Sequence, residues 1–205
     1  MNMALPQATE IGRRKITFEQ FLDALDEDTR AEWIDGEVVT LSPASALHER
    51  VGGFLYLLLR AYVEQKGLGR VLIAPFVMRL PKSNRGREPD ILFVKQENLA
   101  RLKDTYLEGP ADLVVEIAST ESRLRDRGEK YTEYELEGVS EYWIIDPEEK
   151  RVDFFVLSAR GLYERHQEDA QGVYLSQAIS GLALPVHWLW ECPPLVEAIQ
   201  KLGLV

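Results

Sequence analysis

The stretch that most constrains this chain runs from Asp112 to Pro147, DLVVEIASTESRLRDRGEKYTEYELEGVSEYWIIDP. It begins with Leu113-Val114-Val115, an apolar run too short and too β-branched to form a helix by itself, which predicts a buried strand. Glu116 stands at the end of that strand, where burial penalises a carboxylate unless something pairs with it. Ser119, Thr120 and Ser122 offer helix N-caps, a heavily charged helix is expected to about Glu137, and Gly138 supplies the residue that closes it. A second strand, Tyr142-Trp143-Ile144-Ile145, stops at Asp146-Pro147 because proline has no N–H to pair. Asp126 and Lys130 are at i,i+4 spacing on the intervening helix, so a strand delivers one carboxylate to a helix face that carries both. Packing alone does not require that pattern. It predicts a site.

The rest of the chain reads as support for this unit. Residues 1–15 are expected to be a loose leader, and Thr17–Gln20 opens a helix with a capping box. Trp33–Val39 is a hairpin turning at Asp35-Gly36. A helix from Ser45 to about Gln65 carries Val51, Leu55, Leu58 and Leu59 at helical spacing. Val71–Leu80 reads as one strand with Pro75 marking a bulge or an edge, residues 81–87 as a basic loop, and Asp90–Val94 as another buried strand. Gln96–Leu107 is a short helical or irregular crossover. After Pro147, Val152–Leu157 is expected to pair with the preceding strand, Leu162–His166 and Val173–Ser176 to extend the meander, and a helix to close the chain. With no repeat, linker or low-complexity tract, the expected fold is α/β. It has a mixed central β-sheet flanked by α-helices, an extra N-terminal hairpin and a C-terminal β-meander, in one domain spanning 1–205.

Composition narrows the function. A formal net charge of −10 excludes a basic nucleic-acid coat protein, so any nucleic acid must be met by a local basic patch or by metal ions bridging phosphate to carboxylates. Cys192 is the only cysteine, which rules out an intrachain disulfide and fits a reducing, cytoplasmic location. No apolar run reaches membrane-spanning length, so no membrane partner is expected. His166 and His187 lack the spacing of a zinc site.

Phosphodiester hydrolysis needs a metal to neutralise charge, an activated water and help for the leaving oxygen. Mg²⁺, or Mn²⁺ in its place, is usually held by one or two carboxylates with water and phosphate. Asp90 and Glu116 each border an apolar strand; if those strands are neighbours, the two carboxylates converge on one point. Lys130 could then orient the attacking water or stabilise charge on the phosphate. Lys82, Arg85 and Arg87 of the basic loop, with Arg123, Arg125 and Arg127 of the charged helix, would rim the cleft and contact the phosphates. Tyr131, Tyr134, Tyr142 and Trp143 read as core and sheet-facing aromatics.

This arrangement resembles the PD-(D/E)XK, or restriction-endonuclease-like, nuclease superfamily. Pro89-Asp90 supplies the PD and Glu116 the acidic residue of the next core strand. The usual lysine would stand two residues after the glutamate, where this chain has Ala118; some members carry it on the following helix, the position of Lys130. Within the superfamily the chain resembles the Uma-type endonuclease family over about Thr17 to Leu157. The matching stretches are Ile34-Asp35-Gly36-Glu37, His48 at the start of the long helix, Glu88-Pro89-Asp90, and Leu113–Pro147. Thr120 stands where many members have proline. The resemblance implies a restriction-endonuclease-like core and a divalent-metal nuclease. It puts Glu37 and His48 near the acidic pair, Glu37 as an accessory metal ligand or base. Duplex DNA is the expected partner and a homodimer is plausible. A non-catalytic nucleic-acid or protein-binding module on the same fold is the competing reading, and hydrolysis of RNA or a small phosphoester a third.

Overall fold

A computed structural model describes residues 15–25, 29–119 and 122–204. Thr17 caps α1 (Phe18–Ala24) through the expected reciprocal bonds with Gln20, and Phe18 and Phe21 are buried. Strands β1 (Ala31–Ile34) and β2 (Glu37–Thr40) form the hairpin, with positive φ at both Asp35 and Gly36, as a tight primed turn demands. Ser45 caps α2 (Ala46–Lys66), which ends at Gly67 in the left-handed conformation.

The expected strand over 71–80 is two strands, β3 (Gly69–Ile73) and β4 (Val77–Leu80), which join different sheets. Pro75 lies between them, where it interrupts no ladder. The expected basic loop contains β5 (Arg85–Arg87), two of whose three residues are buried. Then follow β6 (Ile91–Lys95), a 3₁₀ turn (Gln96–Arg101), β7 (Tyr106–Glu108) and β8 (Leu113–Ile117). The charged helix comprises α3 (Arg123–Arg125), a wide π-type turn (Asp126–Lys130) and α4 (Tyr131–Glu137), closed by Gly138. Thr120 lies outside the described residues. The chain continues through β9 (Glu141–Asp146), β10 (Arg151–Leu157), β11 (Tyr163–His166), β12 (Val173–Leu175), β13 (Ala183–Pro185), α5 (Trp188–Glu191) and α6 (Leu195–Lys201).

The central sheet has the order β11-β10-β9-β8-β6-β3 and is mixed: β8 and β9 are parallel, joined by the helical crossover, and the other pairs are antiparallel. Period-2 alternation sorts its side chains. Ile91, Phe93, Leu113, Val115 and Trp143 pack with α2 on one face; Leu92, Val94, Val114, Tyr142 and Ile144 pack on the other with Tyr134 of α4 and Met78 of β4. A core covered on both sides explains why these strands read as continuous apolar runs. The N-terminal hairpin is the edge of a second sheet, β2-β1-β5-β4-β7, and β12 pairs with β13 rather than extending the meander. α5 and α6 pack on α2. Among the described residues, no helix is long and apolar enough to cross a membrane.

Candidate active site

Continuing the β6–β8 register, in which Ile91 faces Val115, puts Asp90 opposite Glu116. Asp90 stands immediately before β6. Its Oδ2 accepts the Ile117 amide at 2.7 Å and lies 3.1 Å from Nε2 of His48, in the first turn of α2. That hydrogen bond holds the His48 pKa above its usual value, against the opposing effect of burial. Both residues, with Glu116, Asp126 and Lys130, line one cavity of about 540 Å³.

Glu116 is buried at the end of β8, and its Oε1 takes two donors, Nζ of Lys130 at 2.8 Å and the Tyr134 hydroxyl at 2.7 Å. Lys130 comes from the wide turn between α3 and α4 and is 3 % exposed. Single π turns inside helices recur at functional sites, and here the carbonyl of Asp126, which starts the turn, accepts the Tyr142 hydroxyl. The same ammonium lies 3.3 Å from Glu32 Oε1 and 3.8 Å from Asp126 Oδ1. Asp126 is held by Ser122 Oγ on its other oxygen.

Three buried carboxylates thus share one ammonium, and their surroundings move them in different directions. Burial pushes Glu32 up, but Lys130 and Arg87 outweigh it and hold Glu32 at about 2. Asp126 is raised, chiefly by burial. Glu116 is pushed up to about 8: burial dominates, Asp126 and Asp90 add to it, and Lys130 only partly offsets it. Burial disfavours the charge on Lys130, yet Glu116, Glu32 and Asp126 together raise its pKa, so it remains an ammonium ion.

The structure brings Asp90, Glu116, Lys130, Asp126 and His48 to one cavity and leaves Glu37, Lys82, Arg85, Arg87, Arg123 and Arg127 outside its lining. Glu37 is exposed beside the hairpin turn, paired across it with Ile34, and does not line the cavity. The hairpin's buried carboxylate is Glu32, on β1. Its signal was visible in Ala31-Glu32-Trp33-Ile34, a glutamate among apolar strand residues like Glu116, but the hairpin read from Trp33 onward excluded it.

Lys82, Arg85, Arg87 and Arg127, expected at the phosphates, do not line the cavity and are paired elsewhere. Arg87 is wholly buried, donating to Glu32, Glu133 and Glu129, and cannot meet a ligand. Arg85 pairs with Asp35 and Glu133, Arg127 with Asp153, and Lys82 donates to the terminal carbonyls of α4. Lys82, Arg85 and Arg87 tie the second sheet to the helix, and Arg127 ties the helix to β10 of the central sheet. Two arginines do line the cavity: Arg30, bonded to Glu88 at 2.7 Å, and Arg125.

A family model described as "Putative restriction endonuclease", Uma2, matches residues 18–187. No curated protein matches. Among solved structures, the chain is similar to a "putative nuclease belonging to DUF820" from Anabaena variabilis, with a TM-score of 0.71 and 16 % identity, over 86 % of this chain and 98 % of that one. At that identity the likeness establishes the fold alone: a nuclease-like mixed α/β architecture.

Proposed function

This chain belongs to the Uma2 family, and from that premise we propose that it is a Mg²⁺- or Mn²⁺-dependent endonuclease that hydrolyses phosphodiester bonds of DNA. The observation that carries the reading is the single buried ammonium of Lys130 shared by Glu116, Glu32 and Asp126 at the base of an open cavity. A stability-driven core has no use for carboxylates crowded in this way.

A divalent cation fits the donor set. Asp90 and Glu116 face each other across adjacent strands, and Asp126 Oδ1 is buried with no hydrogen bond to any described residue. Asp90 and Glu116 would hold the ion, which would neutralise phosphate charge and activate water. His48 and the Ile117 amide fix the Asp90 carboxylate, and the Tyr134 hydroxyl fixes Glu116. Glu116 must give up its proton to serve as a ligand. Lys130, which keeps its proton, is the donor available to orient the attacking water or to stabilise charge on the phosphate. It stands in for the lysine that Ala118 replaces.

Isothermal titration with Mn²⁺, together with a plasmid-nicking assay, tests the reading. Wild type should bind and nick, and Glu116→Ala should do neither. Mn²⁺ binding that survives Glu116→Ala would sink the assignment. One observation favours the alternative of a non-catalytic binding module: among the described residues, no group of three or more His, Cys, Asp or Glu side chains is arranged to hold a metal. That module would bind nucleic acid with no Mn²⁺ heat. Parallel assays on RNA and on a small phosphodiester identify the substrate class. Cutting both strands of a duplex suits a two-fold dimer, which sedimentation would reveal.

A further inference from the structure

Resting on the nuclease reading above, we infer that Arg125 is the arginine that anchors the phosphodiester over the acidic pair. The other cations around the cavity are already committed. Arg30 is bonded to Glu88, Lys130 to the three carboxylates, Arg123 to Asp146 and Glu148, and Arg127 to Asp153. Arg125 lines the same cavity, is half-buried, and forms no ion pair with any described residue. Its Nε is buried and has no hydrogen-bond partner among the described residues. A guanidinium carries five donors, and leaving one out of water without an acceptor is costly.

Position makes the unused donor meaningful. Arg125 immediately precedes Asp126, so the element that aims Asp126 and Lys130 at Glu116 also sets the arginine. Its charge helps hold Glu32 low, after the larger effects of Lys130 and Arg87, and offsets part of the burial that raises Asp126. A carboxylate-lined base repels a phosphodiester, and a planar fork on the cavity wall supplies two parallel hydrogen bonds to the non-bridging oxygens. Those bonds strengthen as charge builds on phosphorus, so Arg125 should contribute to turnover as well as binding.

The test compares wild type, Arg125→Ala and Arg125→Lys, each checked for native circular dichroism and Mn²⁺ affinity, both expected to be unchanged. Anisotropy with a duplex oligonucleotide is read in Ca²⁺ over a salt series, and cleavage is read in Mn²⁺. Arg125→Ala should weaken duplex binding about tenfold, with a salt slope shallower by about one contact. It should lower turnover at saturating duplex by about 100-fold. Arg125→Lys keeps the charge but loses the fork, and should recover only part of each. Arg125→Ala that binds and cleaves like wild type overturns the inference and leaves the nuclease reading standing. Wild type that binds but never cleaves overturns the nuclease reading, and the binding comparison still decides Arg125. Wild type that binds no duplex overturns the anchor.

Discussion

Two buried glutamates sit at opposite ends of the parallel pair β8–β9, and they are solvated in opposite ways. Glu141, at the start of β9 beside Leu113, accepts five hydrogen bonds, all from neutral donors: Trp143 Nε1, the Tyr174 and Ser176 hydroxyls, and the amides of Gln177 and Ala178. Together they pin the segment after β12 to the central sheet. Glu116, at the end of β8, has one neutral donor and a share of one ammonium, with further carboxylates close by. Burial of a carboxylate is therefore no signature of chemistry. What separates the two is whether the protein satisfies the charge: Glu141 is saturated and immobilised, Glu116 is left for something else to complete.

Exchanging the roles of the two gives the largest effect. Glu116→Gln should cost at least about 1000-fold in metal-dependent cleavage, whereas Glu141→Gln should leave the rate of correctly folded enzyme near wild type. Stability should reverse: Glu141→Ala strands five donors, four of them buried, and should cost about 4 kcal/mol in urea unfolding. Glu116→Gln should raise Tm by about 2–4 °C at pH above 8. The sign follows from linkage. The folded-state pKa of Glu116, about 8, lies above its ordinary 4.5. Its contribution is fully present below 4.5 and lost as pH rises through 8, so the gain from Gln should vanish in acid. A Glu116→Gln variant less stable than wild type at pH 9 would remove the contrast.

Lys130→Ala comes next. Without its ammonium the carboxylates are left buried and uncompensated, which should destabilise the apo protein by about 3 kcal/mol. Millimolar Mn²⁺ should restore much of that, raising the Tm of this variant more than that of wild type. Mn²⁺ that protects wild type and variant equally would separate the lysine from the proposed metal site.

The pH dependence of binding sharpens the comparison further. Because the proposed ion would have to displace the Glu116 proton, Mn²⁺ affinity should climb about tenfold per pH unit up to about 8 and then flatten, with one proton released. Titrations in buffers of different ionisation enthalpy count that proton, and Glu141→Gln should leave the slope intact. Smallest is Glu37→Ala, expected to shift stability by no more than about 0.5 kcal/mol and to spare cleavage. A large loss of activity would return Glu37 to the site.

Much of this was legible along the chain. The strand–helix–strand unit from Leu113 to Asp146 is written in two apolar runs, a charged helix between them and a glycine that closes it. Each of these is a local preference of backbone or side chain, so neighbours in sequence suffice to specify it. Asp90 and Glu116 were legible for the same reason, as charges set against apolar strands. Which charges would be buried together was decided only by tertiary structure. Arg87, part of a basic stretch that reads as a solvated loop, is sealed among Glu32, Glu129 and Glu133. Glu32, not Glu37, reaches Lys130. The physical reason is that an ion pair between residues forty to a hundred positions apart leaves no periodicity and no cap in either segment. Only the second sheet, folded against the helix, brings those charges out of water and within reach of each other.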